Sequence, residues 1–316
     1  MMRTALAIDL GGTELRGAMV DEAGAVLAFA TTATDAGGGP DAVIDQILAI
    51  LAVVRESGPT CEVLGLGIGA PGPLDWEKGI SIAPPTLAGW SNVPLAERLR
   101  ERTGLDVRLE NDANAAALGE WRFGAARGTA SMVFVTVSTG IGGGVIADGR
   151  LLRGYRGLAG EIGHMTIAET TERCHCGAVG CFEALASGTA LGIAASRRAA
   201  GGGAPGLRAL AGSGAVTARH VTEAARSGDI VALDLLDREA YWLGVGLVNL
   251  LHLYSPERLI LGGGVGEALD LMRPRVEETI RARAMTAYRD VPLLPAELGR
   301  NAGLIGAASL VFEKEI

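Results

Sequence analysis

The chain has 316 residues, 48% hydrophobic but only 4% aromatic, so a core of Ala, Val, Leu and Ile large enough for two domains is expected. With 28 Lys and Arg against 36 Asp and Glu, the formal charge of −8 argues against nucleic-acid binding as the main role. No apolar run reaches the roughly 20 residues of a membrane span, and Met1-Met2-Arg3-Thr4 lacks the apolar region and cleavage site of a signal peptide. A cytoplasmic protein without a membrane partner is expected.

Ala5–Leu10 reads as a strand that ends at Asp9-Leu10-Gly11-Gly12-Thr13. A second strand, Glu14–Val20, leads through a turn at Asp21-Glu22-Ala23-Gly24 to a third, Ala25–Thr31. Gly37-Gly38-Gly39-Pro40 breaks the chain. Asp41–Glu56 then carries Val43, Ile44, Ile47, Leu48 and Leu51 at helical spacing. Val63–Ala70 is a strand closed by Pro71-Gly72-Pro73, Leu95–Thr103 a helix and Val107–Glu110 a short strand. A helix should start near Asn111-Asp112, since Asn and Asp favour caps and the following alanines favour a helix interior.

The pattern restarts at Ser131. Met132–Val137 is a strand, Ser138–Gly144 a glycine-rich turn, Val145–Ala147 a strand and Asp148-Gly149 a hairpin signal. The same order of strands and turns therefore occurs twice, which predicts two lobes of similar architecture. Downstream, Ala199–Gly214 reads as a loop, Thr217–Ser227 and Ile230–Leu251 as helices, Arg258–Leu261 as a strand before Gly262-Gly263-Gly264, and Gly303–Phe312 as a helix.

Glycines at Gly11, Gly12, Gly140 and Gly262–Gly264 would let backbone N–H groups approach phosphate oxygens, because no Cβ stands in the way. Thr13 and Thr139 add hydroxyls, and Asp9 is placed to hold Mg²⁺ through water. Singly each loop is unspecific, a tight turn being the ordinary explanation. No Gly-Lys-Ser/Thr follows, and the first two loops lead into strands, so neither is a Walker loop or a dinucleotide fingerprint. Together the three clusters could clamp a nucleotide between lobes.

His164, Cys174, Cys176 and Cys181 are spaced like the ligands of one zinc ion, with Cys-x-Cys-x4-Cys preceded by a histidine ten residues upstream. Free surface thiols or a disulfide are the alternatives. Cys-x-Cys neighbours pair poorly for geometric reasons, and nothing points to an oxidising compartment. Four protein ligands leave no position for water, so such a zinc would be structural. Cys61 reads as a buried small hydrophobe, His175 as turned outward, His220 and His252 as ordinary helix residues, and the four tryptophans as packing or cleft-wall residues.

At Asp9–Thr13, Pro71-Gly72-Pro73, Glu110–Glu120, Ser138–Gly144, Gly157–His164, Cys174–Glu183 and Leu261–Val265, in this order, the chain resembles the ROK family of repressors, open reading frames and kinases. Within it the likeness is to the bacterial ATP-dependent sugar kinases similar to glucokinase, and Glu161-x-x-His164 with the cysteine motif is its most diagnostic part. The resemblance implies an α/β, two-lobed actin-like ATPase (ribonuclease H-like) fold with an inter-lobe cleft and a structural zinc loop. The small lobe would comprise residues 1–113, completed by a C-terminal helix 304–316, and the large lobe residues 114–303 with the zinc loop. ATP and Mg²⁺ would be held by Asp9, Gly11, Gly12, Thr13, Thr139, Gly140, Gly262, Gly263 and Gly264, and the protein would be a homodimer.

By the same resemblance Asp112 is the catalytic base, and Asn111, Glu161, His164 and Glu183 bind sugar. Carboxylates and amides suit paired bonds to adjacent hydroxyls. His164 would put one ring nitrogen on zinc and offer the other to a hydroxyl. Asp112 at a strand-to-helix junction faces a site edge where a helix N-terminus favours an anion; an N-cap alone is the alternative. The implied reaction phosphorylates the 6-hydroxyl of a hexose, glucose first, with N-acetylmannosamine, N-acetylglucosamine or fructose as alternatives. In one departure, Thr86 stands where many such kinases carry an asparagine. A sugar-sensing regulator of the same family is the non-enzyme alternative, although only eight residues precede Asp9, too few for a helix-turn-helix.

Overall fold

The computed structural model describes residues 2–312. In chain order the elements are β1 (Arg3–Leu10), β2 (Glu14–Asp21), β3 (Val26–Ala33), α1 (Gly39–Ser57), β4 (Glu62–Ala70), the short pair β5 (Leu74–Asp75) and β6 (Ile80–Ser81), α2 (Leu95–Thr103), β7 (Val107–Asn111) and α3 (Asp112–Phe123). Then follow β8 (Met132–Val137), β9 (Ile141–Ala147), β10 (Arg150–Leu151), α4 (Phe182–Ala186), α5 (Gly188–Ala200), α6 (Pro205–Ala211), α7 (Ala218–Arg226) and α8 (Ile230–Tyr254). The chain ends with β11 (Arg258–Gly262), α9 (Gly263–Gly266), α10 (Leu269–Arg283), β12 (Leu293–Pro295) and α11 (Ala302–Phe312). Of the expected C-terminal helix, residues 313–316 lie outside the described residues.

Two compact units result: Met1–Ala130 with Gly144–Gly160 and Glu297–Ile316, and Ser131–Gly143 with Glu161–Ala296. This division differs from one at residues 113/114. Helix α3 belongs with the first unit because it packs on α11 without side chains between the backbones. A Cβ on Gly306 would lie 1.6 Å from the carbonyl oxygen of Ala115, and one on Gly119 would lie 2.4 Å from that of Ala302.

The repeated pattern in the sequence becomes two five-stranded sheets of equivalent order, β3-β2-β1-β4-β7 and β10-β9-β8-β11-β12. In the first, β1 pairs antiparallel with β2 and parallel with β4, and β4 pairs parallel with β7. In the second, β11 lies parallel to both β8 and β12. The division between units falls inside β9.

Alternation along β1 sorts its side chains to the two faces of the sheet. Leu6, Ile8 and Leu10 join α1 residues such as Ile44 and Ile47 in one core. Ala5 and Ala7 meet Leu304, Ala307 and Ala308 of α11 on the other. The second face is built from small residues, so α11 lies close to the strands. Glu120, fully buried in α3, closes this layer by accepting from the N–H groups of Ala125, Glu297 and Leu298 at 2.9, 3.1 and 2.8 Å.

Three local expectations are revised. Gly142–Gly144 lie within β9, not in a turn, because a Cβ on Gly143 would come 2.6 Å from the oxygen of Phe134, and one on Gly144 2.5 Å from the Ala117 Cβ. Pro40 opens α1 from its first turn. Pro205 likewise starts α6 inside the stretch expected to be a loop.

Gly67 of β4 tests the close layer. An added Cβ would lie 1.8 Å from the oxygen of Ala307, so Gly67→Ala should cost about 3 kcal/mol through overpacking. Calorimetry should show a melting temperature several degrees lower, while Gly37→Ala, whose Cβ meets nothing within 4 Å, leaves it unchanged.

Candidate active site

In the first unit, Asp9, Gly69 and Glu110 lie in register across β1, β4 and β7. These strands are parallel, so the Asp9 turn and the Asn111-Asp112 junction emerge at the same end of the sheet, about 10 Å apart at two strand spacings. The C-terminal edge of parallel strands is where α/β sheets bind ligands. The turn after Asp9 is closed by Gly11 N–H donating to Glu14 O at 2.9 Å and Thr34 Oγ1 donating to Gly11 O at 2.7 Å. Thr86 stands against it, since a Cβ on Gly12 would lie 2.6 Å from the Thr86 Cβ.

The Asp9 carboxylate is paired with the Arg16 guanidinium, which also donates to the carbonyl of Arg300. Burial raises the Asp9 carboxyl above its ordinary range, the Arg16 charge and hydrogen bond oppose this, and nearby Glu14 adds to the rise. Sequence reading identified Asp9 but missed Arg16, because nothing in the motif shows that β2 folds its third residue back over the turn.

At the β7–α3 junction the N-cap is Asn111. Its Oδ1 accepts from the N–H groups of Ala113 and Asn114 at 3.0 and 3.1 Å. The cap uses its oxygen and not its side-chain nitrogen. Asp112 is therefore the first helical residue and not the cap; its Oδ1 also lies 2.8 Å from the Ala113 nitrogen. Beneath the junction, buried Glu110 accepts from Asn111 N–H at 3.0 Å, from Asn114 Nδ2 at 3.1 Å and from Arg153 Nε at 2.7 Å.

In the second unit the loops after β8 and β11 also leave from one end of parallel neighbours, Gly262 lying opposite Thr136. Gly188 N–H donates to Ser138 O at 2.7 Å, and Thr189 Oγ1 donates to Thr139 O at 2.7 Å, which ties the first loop to the start of α5. Gly263 has φ +84°, and a Cβ there would lie 2.4 Å from Val137 O. Gly264 faces open space.

Glu183 lies over the same loop. Its Oε2 accepts from Ile141 N–H at 2.9 Å, and a Cβ on Gly140 would strike that oxygen at 2.2 Å. Glu161 is exposed and closes a single turn onto His164, whose N–H donates to Glu161 O at 3.1 Å. Gly163 presses that turn onto β9, a Cβ there lying 2.1 Å from Ile141 O. Thr139, Gly140, Glu161, His164 and Glu183 are thus held by one set of close contacts within this unit.

The ligand atoms of His164, Cys174, Cys176 and Cys181 all lie within 4.8 Å of one another. His164 Nδ1 is 3.6 Å from Cys174 Sγ, and the Cys176 and Cys181 sulfurs are 3.8 Å apart and not bonded. Zinc–sulfur bonds of about 2.3 Å give a tetrahedron edge of about 3.8 Å. The residues therefore fit a tetrahedral zinc, with the Nε2 atom of His164 left over. Burial pushes the Cys174 thiol up to about 12 and raises Cys181, whereas the Ala178 backbone N–H lowers Cys176. His175 does not simply turn outward: its Nδ1 meets Glu183 Oε1 at 2.8 Å, making a second possible cluster with Cys174. The thiolate-rich set is the better match for zinc.

The model of the ROK family matches residues 5–314. The chain belongs to the ROK family. It is 37% identical to the glucokinase of Thermotoga maritima over 98% of this chain and 97% of that one. Among solved structures, a ROK family glucokinase from Streptomyces griseus in complex with glucose and AMPPNP superposes with a TM-score of 0.85 at 36% identity, covering 97% of this chain and 98% of that one. The xylose repressor of Bacillus subtilis is 33% identical over 86% of this chain and 67% of its own length. The fold is accordingly the two-lobed actin-like one, and the protein is a sugar kinase. No helix among the described residues is long and apolar enough to cross a membrane.

Elemental analysis of the purified protein should find one zinc per chain. Stripping it with a chelator should lower the melting temperature. Reloading at neutral pH should release about two or more protons, because burial keeps Cys174 and Cys181 protonated without metal. Metal-free protein of undiminished stability would show that the cluster is only four neighbouring side chains.

Proposed function

We propose that the protein transfers the γ-phosphoryl group of ATP to the 6-hydroxyl of glucose, with Asp112 as the base. The observation that carries this reading is the division of labour between Asn111 and Asp112. Because Asn111 caps α3, the Asp112 carboxylate stands at a helix N-terminus without serving as the cap. An anion is favoured there, and it lies at the strand edge that also carries the Asp9 turn. The full-length similarity to glucokinases supports the substrate assignment.

In this mechanism the oxygen of the sugar 6-hydroxyl forms a bond to the γ-phosphorus as the bond from that phosphorus to the bridging oxygen of ATP breaks. ADP leaves with the electron pair, and Asp112 takes the hydroxyl proton. Backbone N–H groups at Gly12-Thr13, Thr139-Gly140 and Gly262–Gly264 hold phosphate oxygens at no Cβ cost, while Gly11, whose own N–H goes to Glu14 O, shapes the first turn. Asp9, released from Arg16, is the carboxylate that would hold Mg²⁺ through water. Bound Mg²⁺ neutralises charge developing on the phosphates.

The side-chain nitrogen of Asn111, the carboxylates of Glu161 and Glu183, and His164 Nε2 bind sugar hydroxyls. Glu183 is fixed in orientation by Ile141 N–H and His175 before any ligand arrives. Bound zinc would lock the His164 ring, which couples metal occupancy to sugar affinity. A homodimer in the cytoplasm rests on family resemblance alone. The likeness to a xylose repressor favours a second reading, sugar binding without turnover.

ADP release with Mg-ATP should be measured against glucose, mannose, fructose, N-acetylglucosamine and N-acetylmannosamine. Glucose should turn over best. Asp112→Asn should reduce kcat at least about 100-fold, the usual worth of a general base, and change the sugar Kd less than about threefold. Turnover with another sugar alone would replace the substrate and keep the mechanism. Sugar binding without any turnover in the folded wild type would favour the regulator.

A further inference from the structure

We infer that Arg153, through Glu110 and stacked on Trp76, is a positioning residue for the Asn111-Asp112 junction. This inference rests on the kinase reading above, which assigns Asn111 and Asp112 their roles. Neither Glu110 nor Arg153 is among the ligand groups named so far.

Glu110 and Arg153 form an ion pair at 2.7 Å with side chains only 1% and 9% exposed. A buried ion pair is a costly way to hold a fold together, since apolar residues of similar volume would often be as stable or more so. Its use here follows from how the Glu110 oxygens are shared. Oε1 accepts from Asn111 N–H at 3.0 Å and Asn114 Nδ2 at 3.1 Å, and Oε2 accepts from Arg153 Nε at 2.7 Å. One carboxylate therefore grips the residues on both sides of Asp112. It also fixes the Asn114 amide, because turning the amide over would set two oxygens against each other.

Arg153 is itself held. Its guanidinium carbon lies 4.4 Å from the centre of the Trp76 ring, a cation–π contact in which the flat guanidinium can stack on the ring while Nε donates to Glu110. Gly157 touches the same ring, since a Cβ there would lie 2.7 Å from Trp76 Cδ1, and its φ of +75° suits glycine. Arg153 thus anchors the junction that carries one proposed sugar ligand, Asn111. Displacement of a reacting group by about 1 Å can cost 100-fold in rate, so loss of this anchor should appear in kcat.

The test uses the full-length protein. In Glu110→Gln/Arg153→Met both charges go together, so no uncompensated charge is buried and the fold is retained. Arg153→Lys keeps the charge but loses the flat, stacked fork. Expected for both are a kcat at least tenfold lower per folded molecule and an ATP KM within about twofold of wild type. Amide hydrogen exchange should be faster at residues 111–114 and unchanged in β1 and α1.

A folded double variant with wild-type kcat and wild-type exchange at the junction would overturn the inference. So would a loss of rate explained entirely by a smaller folded fraction. Should the wild type phosphorylate no sugar at all, the kinase reading fails by itself. The exchange measurement then still decides the anchoring: faster exchange at residues 111–114 supports it, and unchanged exchange overturns it.

Discussion

The first unit depends on how closely α11 approaches its neighbours. Gly67 in β4 and Gly119 in α3 face α11 backbone, and Gly306 in α11 faces α3 backbone, each where a single methyl group would collide. Close packing of this kind transmits position, because interiors at crystal-like density have little slack. The first turn of α11 touches Asp9, a Cβ on Gly303 lying 3.1 Å from its Oδ2. The same helix fixes α3, and hence the height at which Asn111 and Asp112 leave β7. Glu120 secures the far end of α3 to residues 297 and 298, just ahead of α11. A segment near the end of the sequence therefore sets the geometry of two candidate site groups from its beginning and middle. A core low in aromatic residues is consistent with this constraint, since backbones touch where large side chains would separate them.

The second unit meets the same demand with backbone and with a cluster of histidine and cysteine side chains that fits a metal. Gly140, Gly163 and Gly188 each allow a contact that a Cβ would block, and together they bring the loop after β8, the Glu161–His164 turn and α5 against one another. Backbone pairing forms the next layer: Phe182, directly after Cys181, donates its N–H to Met165 O at 2.8 Å, one residue beyond His164. A divalent ion in this cluster would stiffen a segment with little apolar burial of its own. Such use of a metal suits a loop whose exposed side chains must keep their orientation.

What could be read from the sequence divides along physical lines. Regular alternation and helical spacing marked β1, β2, β4, α1 and α8, and short chemical spacing marked Asp9, Asp112 and the cysteine set, because both signals are local. The glycines of β9 were misread as a turn, since a glycine required for close approach is indistinguishable in sequence from one required for a positive φ. Helix α6 was hidden by an alanine- and glycine-rich composition that carries no periodicity. The division at residue 113 failed to include α3 because packing on α11 is a contact across almost 200 positions. Arg16, Arg153 and the partnership of His175 with Glu183 do not show in the sequence for a different reason: each is an ordinary residue until the fold supplies its neighbour, even a neighbour close by in the chain.

Several side chains hold two positions at once. Asn111 caps α3 with its oxygen, and under the kinase proposal its nitrogen serves the sugar; His164 turns Nδ1 toward the cysteines, which leaves Nε2; Glu183 is aligned by Ile141 N–H and His175. Each group is thereby ordered by the protein before a ligand binds, so little rotamer entropy remains to be lost on binding. Such sharing also makes these residues hard to exchange. Aspartate at position 111 could still cap the helix but would offer no N–H, and serine could cap it but would not reach as far. A side chain with two partners has fewer acceptable replacements than a side chain with one.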